Sequence, residues 1–197
     1  VHEYSPRYEE TQAFSPRFLE FQDALIERLL QDWDLRGKSV LEIGCGKGEF
    51  LVRMCELGDC SGVGIDPGYR PERTSSPAAE RIEFINDFYS DRYAHLVGDL
   101  VCCRHTLEHI QPTREFVQGI RNSIGDRTVP VFFELPDVRR VLEEQAFWDI
   151  YYEHCSYFTM GSLQRLFEAS GFAILDIRKT YGEQYIVLDA KAAGRHA

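Results

Sequence analysis

Three closely spaced glycines at 44–48 (GCGKG) constrain the fold of this chain more than any other feature of its sequence. They follow a short apolar run at 39–44, which is typical of a buried strand, and precede an amphipathic stretch at 48–57. Glycines let the main chain turn tightly and approach a ligand closely. The first turn of the next helix offers unpaired N–H groups to an anion. The pattern therefore predicts a strand, a ligand-binding turn and a helix.

The same alternation of strand and helix patterns continues along the chain. Further strands are predicted at 60–66, 81–87, 99–105 and 129–135, helices at 112–124 and 162–169, and two strands in the tail at 172–191, which divides at 181–183. Strands separated by helices indicate a mostly parallel sheet covered on both faces, and the hairpin-like tail adds an antiparallel edge strand. We expect an α/β, Rossmann-like, doubly wound sheet of seven strands.

An amphipathic helix is predicted ahead of this sheet, at 16–33. The apolar side chains expected to face inward are Phe18, Phe21, Leu25, Leu29 and Leu30. A chain of 197 residues is long enough for one domain and too short for two of ordinary size. We expect an N-terminal helical cap at 1–34 and a single compact domain at 35–197.

Composition excludes several classes of partner. The chain has 22 Lys and Arg against 32 Asp and Glu, a net charge of −10, which gives no general attraction to nucleic acid or to an anionic membrane. No apolar run approaches the roughly 18 residues of a membrane span, and the first residues lack a signal-peptide pattern. The six cysteines form neither a Cys-x-x-Cys pair nor a metal-binding cluster with histidine. We expect reduced thiols, no metal and a cytoplasmic location.

Acidic residues around the glycines indicate what the turn binds. Asp66 ends the second strand, 20 residues after Gly46, where a carboxylate can accept hydrogen bonds from both hydroxyls of a ribose. The last glycine of the dinucleotide motif is replaced by Glu49, and Glu42 precedes the turn. These carboxylates would repel a pyrophosphate. A nucleoside whose other end is an amino acid, with an ammonium and a carboxylate, fits the pattern better.

The segment 42–48 (EIGCGKG) resembles the first motif of class I S-adenosylmethionine-dependent methyltransferases. Asp66 matches that family's ribose-binding acid, 85–88 (INDF) its adenine-proximal turn, and 99–105 (DLVCCRH) its fourth motif. The resemblance implies S-adenosylmethionine as cofactor. The residues that it implies for cofactor binding are Glu42, Gly44, Cys45, Gly46, Gly48, Asp66, Pro67, Asp87, Phe88, Arg104 and Tyr8. Two of these roles stay open, since Asp87 is also typical of a turn and Phe88 of simple packing.

Histidines after the fourth strand are candidates for acid–base chemistry. Methylation of a carbon requires a base, because a C–H next to a carbonyl must first lose its proton, and histidine is the commonest choice. His105 and His109 lie in 104–110 (RHTLEHI), which resembles a stretch that shapes the pocket floor in many methyltransferases of this class. For His105 both a pocket-lining role and a base remain open, and His109 is expected to be structural.

The segment 147–158 (FWDIYYEHCSYF) is dense in aromatic and titratable side chains. It resembles the Tyr-His-Glu-His-x-x-Tyr region of sugar C-methyltransferases, which methylate a keto carbon of nucleotide-linked deoxysugars. The resemblance implies that Tyr151, Glu153 and His154 are catalytic, with His154 as the base. It also implies that the aromatic residues of 4–16, Tyr8 among them, close over the sulfonium of the cofactor. The alternative is an aromatic-rich loop that packs under the sheet, with His154 hydrogen-bonded and neutral.

These expectations define the function hypotheses. The favoured one is a methyltransferase that acts on a small molecule, with a carbon of a keto-deoxysugar as acceptor. The alternatives are an O- or N-methyltransferase of another metabolite, and a cofactor-binding module that lacks its acceptor-binding domains. The sequence makes no prediction about the oligomeric state.

Overall fold

The computed structural model describes residues 15–70 and 76–194. Its helices are α1 (Pro16–Asp32), α2 (Glu49–Gly58), α3 (Thr113–Ile124), α4 (Val138–Glu143) and α5 (Met160–Ala169). Its strands are β1 (Ser39–Ile43), β2 (Ser61–Ile65), β3 (Ile82–Ile85), β4 (Leu100–Arg104), β5 (Pro130–Pro136), β6 (Phe172–Thr180) and β7 (Tyr185–Ala192). Short 3-10 helices lie at Pro77–Arg81, Asp91–Leu96, Leu107–His109 and Phe147–Asp149.

The strands form a seven-stranded sheet in the order β3-β2-β1-β4-β5-β7-β6. β1, β2 and β3 pair in parallel, as do β4 and β5, whereas β7 is antiparallel to both β5 and β6. The predicted seven strands, mostly parallel with one antiparallel, are confirmed. The antiparallel strand β7 lies one place in from the edge, which β6 forms, because the turn at 181–184 returns the chain between β6 and β5.

The described chain forms two compact units, and the first contains the described residues up to Tyr89 together with Gly98–Leu100. α1 begins where the Ser15 side chain accepts a hydrogen bond from the N–H of Phe18. Of its predicted inward residues, all are buried except Phe21, which is half-buried. Arg53 of α2 binds both carboxylate oxygens of Asp23 in α1, at 2.8 and 2.7 Å, which joins the two helices.

The second unit contains Ser90–Val97 and the described residues from Val101 onward. Phe167 of α5 packs edge-on against Phe133 of β5, with ring centroids 4.8 Å apart. α5 begins at Thr159, which forms a reciprocal capping box with Ser162. The predicted division at 34/35 stays a prediction.

Two expectations drawn from composition can be compared with the structure. All six cysteines are free, and five of them are buried. Within the described residues, no helix has both the length and the apolar character that a membrane crossing requires.

Candidate active site

The turn after β1 has a backbone that only glycine adopts readily. Gly44, Gly46 and Gly48 have φ values of +71°, +53° and +77°, all in the left-handed region. The N–H of Gly44 donates to the carbonyl of Ile65 at 2.8 Å, which ties the turn to β2. A Cβ placed on Gly48 would lie 2.6 Å from the ring of Phe84. The predicted stretch of bare main chain is therefore a requirement of the local packing.

The carboxylate of Asp66 is fixed beside this turn. Its Oδ2 accepts a hydrogen bond from the N–H of Gly46 at 2.9 Å, and its Oδ1 accepts one from the N–H of Gly68 at 2.6 Å. A carboxylate has about four lone-pair positions, so each oxygen keeps capacity for another donor. Asp66 is half-buried. This arrangement suits a ligand that presents two neighbouring hydroxyls.

The groups behind the turn are acidic or neutral. Glu42 of β1 is only 2% exposed. Burial raises the pKa of the Cys45 thiol strongly, and the neighbouring Glu42 and Asp66 carboxylates add to the effect, so this cysteine is a neutral packing residue. Because negative carboxylates line the turn, it favours a ligand with an ammonium over one with a pyrophosphate.

The turn after β3 contains an aspartate that caps a backbone N–H, followed by an exposed aromatic ring. Asp87 Oδ1 accepts a hydrogen bond from the N–H of Phe88 at 2.8 Å, and the Phe88 side chain is 60% exposed. Pro67 is half-buried next to Asp66. The predicted adenine contacts of Asp87 and Phe88 stay predictions. Tyr8 lies outside the described residues.

Comparison with known proteins gives the family. Residues 12–177 match the family model described as a methyltransferase domain. The chain belongs to the methyltransferase family. It is 30% identical over 184 residues to C-methyltransferase NovU of Streptomyces niveus. This alignment covers 88% of this chain and 42% of NovU. It is 27% identical over 94 residues to the mitochondrial ubiquinone biosynthesis O-methyltransferase of Schizosaccharomyces pombe. This alignment covers 45% of this chain and 34% of that protein. The chain thus spans less than half the length of these relatives.

Solved methyltransferase structures share the fold. Magnesium protoporphyrin IX methyltransferase of Synechocystis PCC 6803 superposes with a TM-score of 0.64 at 16% identity, covering 89% of this chain and 84% of that one. The 1,6-didemethyltoxoflavin-N1-methyltransferase of Burkholderia thailandensis gives 0.65 at 16% identity, covering 91% and 82%. This chain is thus a class I S-adenosylmethionine-dependent methyltransferase domain. The cofactor supplies an electrophilic methyl group, and the glycine turn and Asp66 have the chemistry to hold its amino-acid and ribose parts.

A buried charged network lies at the ends of β4 and β5. Glu134, 1% exposed, accepts hydrogen bonds at one oxygen, Oε1, from Arg104 Nη2 at 2.8 Å and from His105 Nε2 at 2.7 Å. Burial would raise the pKa of Glu134, but Arg104 and His105 together lower it to about 2. Arg104, predicted to bind the cofactor, is buried in this ion pair, and its role toward the cofactor stays a prediction.

In the predicted catalytic segment, the His154 ring packs against three other aromatic rings. Its centroid lies 5.0 Å from that of Tyr151, 5.7 Å from that of Tyr157 and 4.9 Å from that of His109. Burial lowers the pKa of His154 to about 4, and His109 contributes to this shift while Glu153 opposes it. His154 is therefore neutral at neutral pH.

His109 is the member of this cluster that sequence reasoning had set aside as structural. Its Nδ1 lies 3.2 Å from the carbonyl oxygen of Glu153, and its ring stands edge-on to His154. Burial lowers the pKa of His109 as well. The segment is anchored beside it, because the N–H groups of Cys155 and Ser156 both donate to the carbonyl of Glu108, at 2.7 and 3.0 Å. The sequence signal was the pair of histidines in 104–110, which gives no distance to His154.

Glu108, His109 and His154 place one potential metal-binding atom each within 4.8 Å of one another. Ligands of one tetrahedral zinc ion, bound at about 2.1 Å, stand roughly 3.4 Å apart, so the side chains would have to move to share an ion. We assign no metal to this group. The prediction that the reaction uses none remains untested.

Proposed function

We propose that this domain transfers the methyl group to a carbon next to the keto group of a sugar. The observation that carries the proposal is the half-buried, neutral His154 enclosed by Tyr151, Tyr157 and His109. The similarity of this chain to C-methyltransferase NovU extends over 88% of the chain, and it supports carbon as the acceptor atom.

In this proposal His154 is the base. Carbon methylation requires that a C–H bond breaks, that its proton moves to the imidazole, and that its electron pair stays on the carbon as an enolate. An imidazole accepts a proton only when it is neutral, and the lowered pKa of His154 keeps it so. Within the part of the chain that the structure describes, no hydrogen bond occupies its ring nitrogens. The ring is therefore available to a bound acceptor.

Two neighbours support this role. The Glu153 carboxylate favours the protonated form of His154, and so it assists proton uptake. Tyr151 is 43% exposed, and its backbone carbonyl accepts a hydrogen bond from the Tyr157 hydroxyl at 3.3 Å. This bond holds the segment in shape, and because no other described residue forms a hydrogen bond with the Tyr151 hydroxyl, that group can contact the acceptor.

The test is methyl transfer from isotopically labelled S-adenosylmethionine to a panel of nucleotide-linked keto-deoxysugars, with the product carbon located by NMR. We expect label on the carbon beside the keto group, and loss of turnover without loss of cofactor affinity in His154→Asn. The matched control is His95→Asn, since His95 is exposed and its Nδ1 lies 3.0 Å from the carbonyl oxygen of Arg92 in its own 3-10 helix. Label on oxygen or nitrogen, or full activity of His154→Asn, would contradict the proposal.

A further inference from the structure

We propose that Glu134 is a positioning residue that holds His105 as its Nε2–H tautomer, so that His105 Nδ1 accepts a hydrogen bond from a hydroxyl of the methyl acceptor. The proposal rests on the proposed function, since the acceptor is taken to be a hydroxylated keto compound. It adds a residue, Glu134, that the sequence did not single out.

The contact with Glu134 determines which ring nitrogen carries the proton. The Glu134 side chain is fully buried, and its Oε1 lies 2.7 Å from His105 Nε2. An ionised carboxylate can only accept hydrogen bonds. Arg104 donates to the same oxygen and keeps the carboxylate ionised. His105 Nε2 therefore carries a hydrogen, and in the neutral ring Nδ1 is left as the acceptor.

The position of His105 is constrained further by its backbone conformation and by two more contacts. Its backbone has φ +46°, a left-handed conformation that a residue other than glycine keeps only where its surroundings impose it. Its N–H donates to the carbonyl of Glu134 at 2.8 Å. Its ring meets Tyr185 edge-on at 4.7 Å, and Tyr185 is in turn stacked on Tyr181. A ring held in this way is already oriented before a ligand binds.

The Nδ1 side of His105 is the side open to a ligand. No hydrogen bond to Nδ1 is formed by the residues that the structure covers, and Glu108 Oε1, at 3.9 Å, is beyond hydrogen-bond distance. The His105 side chain is 32% exposed although its Nε2 contacts a fully buried carboxylate. A hydroxyl, which carries one hydrogen to donate, suits the acceptor position at His105 Nδ1.

The first experiment reads the tautomer directly. Two-dimensional ¹H–¹⁵N NMR spectra that correlate the carbon-bound ring protons with the ring nitrogens distinguish Nε2–H from Nδ1–H, and they require neither an acceptor nor a variant protein. We expect His105 of the unmodified chain to be the Nε2–H form, and we expect Glu134→Gln to lose this uniform state. A His105 that is Nδ1–H in the unmodified chain overturns the proposal, whether or not the variant folds.

The second experiment uses kinetics. For Glu134→Gln we expect KM for the hydroxylated acceptor to rise about tenfold, the effect of one lost hydrogen bond, with kcat nearly unchanged and the KM of a deoxy analogue unaffected. The control is Glu168→Gln, an exposed carboxylate of the same unit. An unchanged KM, or a fall confined to kcat, overturns the role of His105. Failure of the proposed function would differ, because then the unmodified chain would methylate no keto-sugar.

Discussion

Replacing Gly48 by alanine tests whether the turn after β1 depends on bare main chain. Two costs follow from the structure. An L-residue at φ +77° loses about 1–2 kcal/mol of stability. The new Cβ would also lie 2.6 Å from Phe84, whose ring is stacked on Tyr69 at 4.1 Å and cannot move freely, and such overpacking costs about 1–3 kcal/mol. We expect the free energy of unfolding to fall by about 2–5 kcal/mol.

Gly37→Ala is the matched control. Gly37 has φ +72°, and a Cβ there would have no atom within 4 Å. It should therefore show only the backbone cost, about 1–2 kcal/mol. The difference between the two variants, about 1–3 kcal/mol, then measures the clash with Phe84.

Equilibrium urea unfolding gives both values, and calorimetric titration with S-adenosylmethionine gives the affinities. We expect weaker cofactor binding for Gly48→Ala and unchanged binding for Gly37→Ala. Adding Phe84→Leu to Gly48→Ala should recover part of the lost stability, because it removes the ring that clashes. Equal destabilisation by the two alanines, or no recovery in the double variant, would refute the reasoning.

Three further predictions concern the site. Asp66→Asn should weaken cofactor binding at least about tenfold by calorimetry, because it removes the charge and points an amide donor at an N–H, whereas the exposed Asp59→Asn should bind normally. The kcat/KM of carbon methylation should fall on the acid side near pH 4, because protonated His154 cannot accept a proton; a fall near 6.5, the ordinary histidine value, would contradict the assignment. Chelator-treated protein should keep its turnover; an activity lost to chelation and restored by zinc would contradict this, and Glu108, His109 and His154 would then be the first candidate ligands to replace.

Local sequence patterns were sufficient for the fold. Every strand, and every α-helix except α4, was indicated by its own periodicity and by the glycines and prolines beside it, and the positions of Gly46 and Asp66 already implied their proximity across two parallel strands. Such features involve neighbours in the chain or the regular geometry of one β-α-β unit, so periodicity can indicate them.

Contacts that depend on register between distant strands were beyond the sequence. Glu134 meets Arg104 and His105 because the parallel pairing of β4 and β5 sets Arg104 opposite Glu134. No local signal marks that register. The approach of His109 to His154 was also missed. It depends on how the 147–158 segment folds back onto the 3-10 helix at Leu107–His109, which is again a contact between residues distant in the sequence.

The position of β7 has a consequence for how the protein is made. β5, in the interior of the sheet, bonds along one edge to β7, which is synthesised after α4, α5 and β6. Until β7 has left the ribosome, that edge of β5 exposes unpaired N–H and C=O groups and is open to pairing with other chains. Ribosome-bound intermediates in which β7 (Tyr185–Ala192) has not yet emerged should therefore be the species that need chaperone protection.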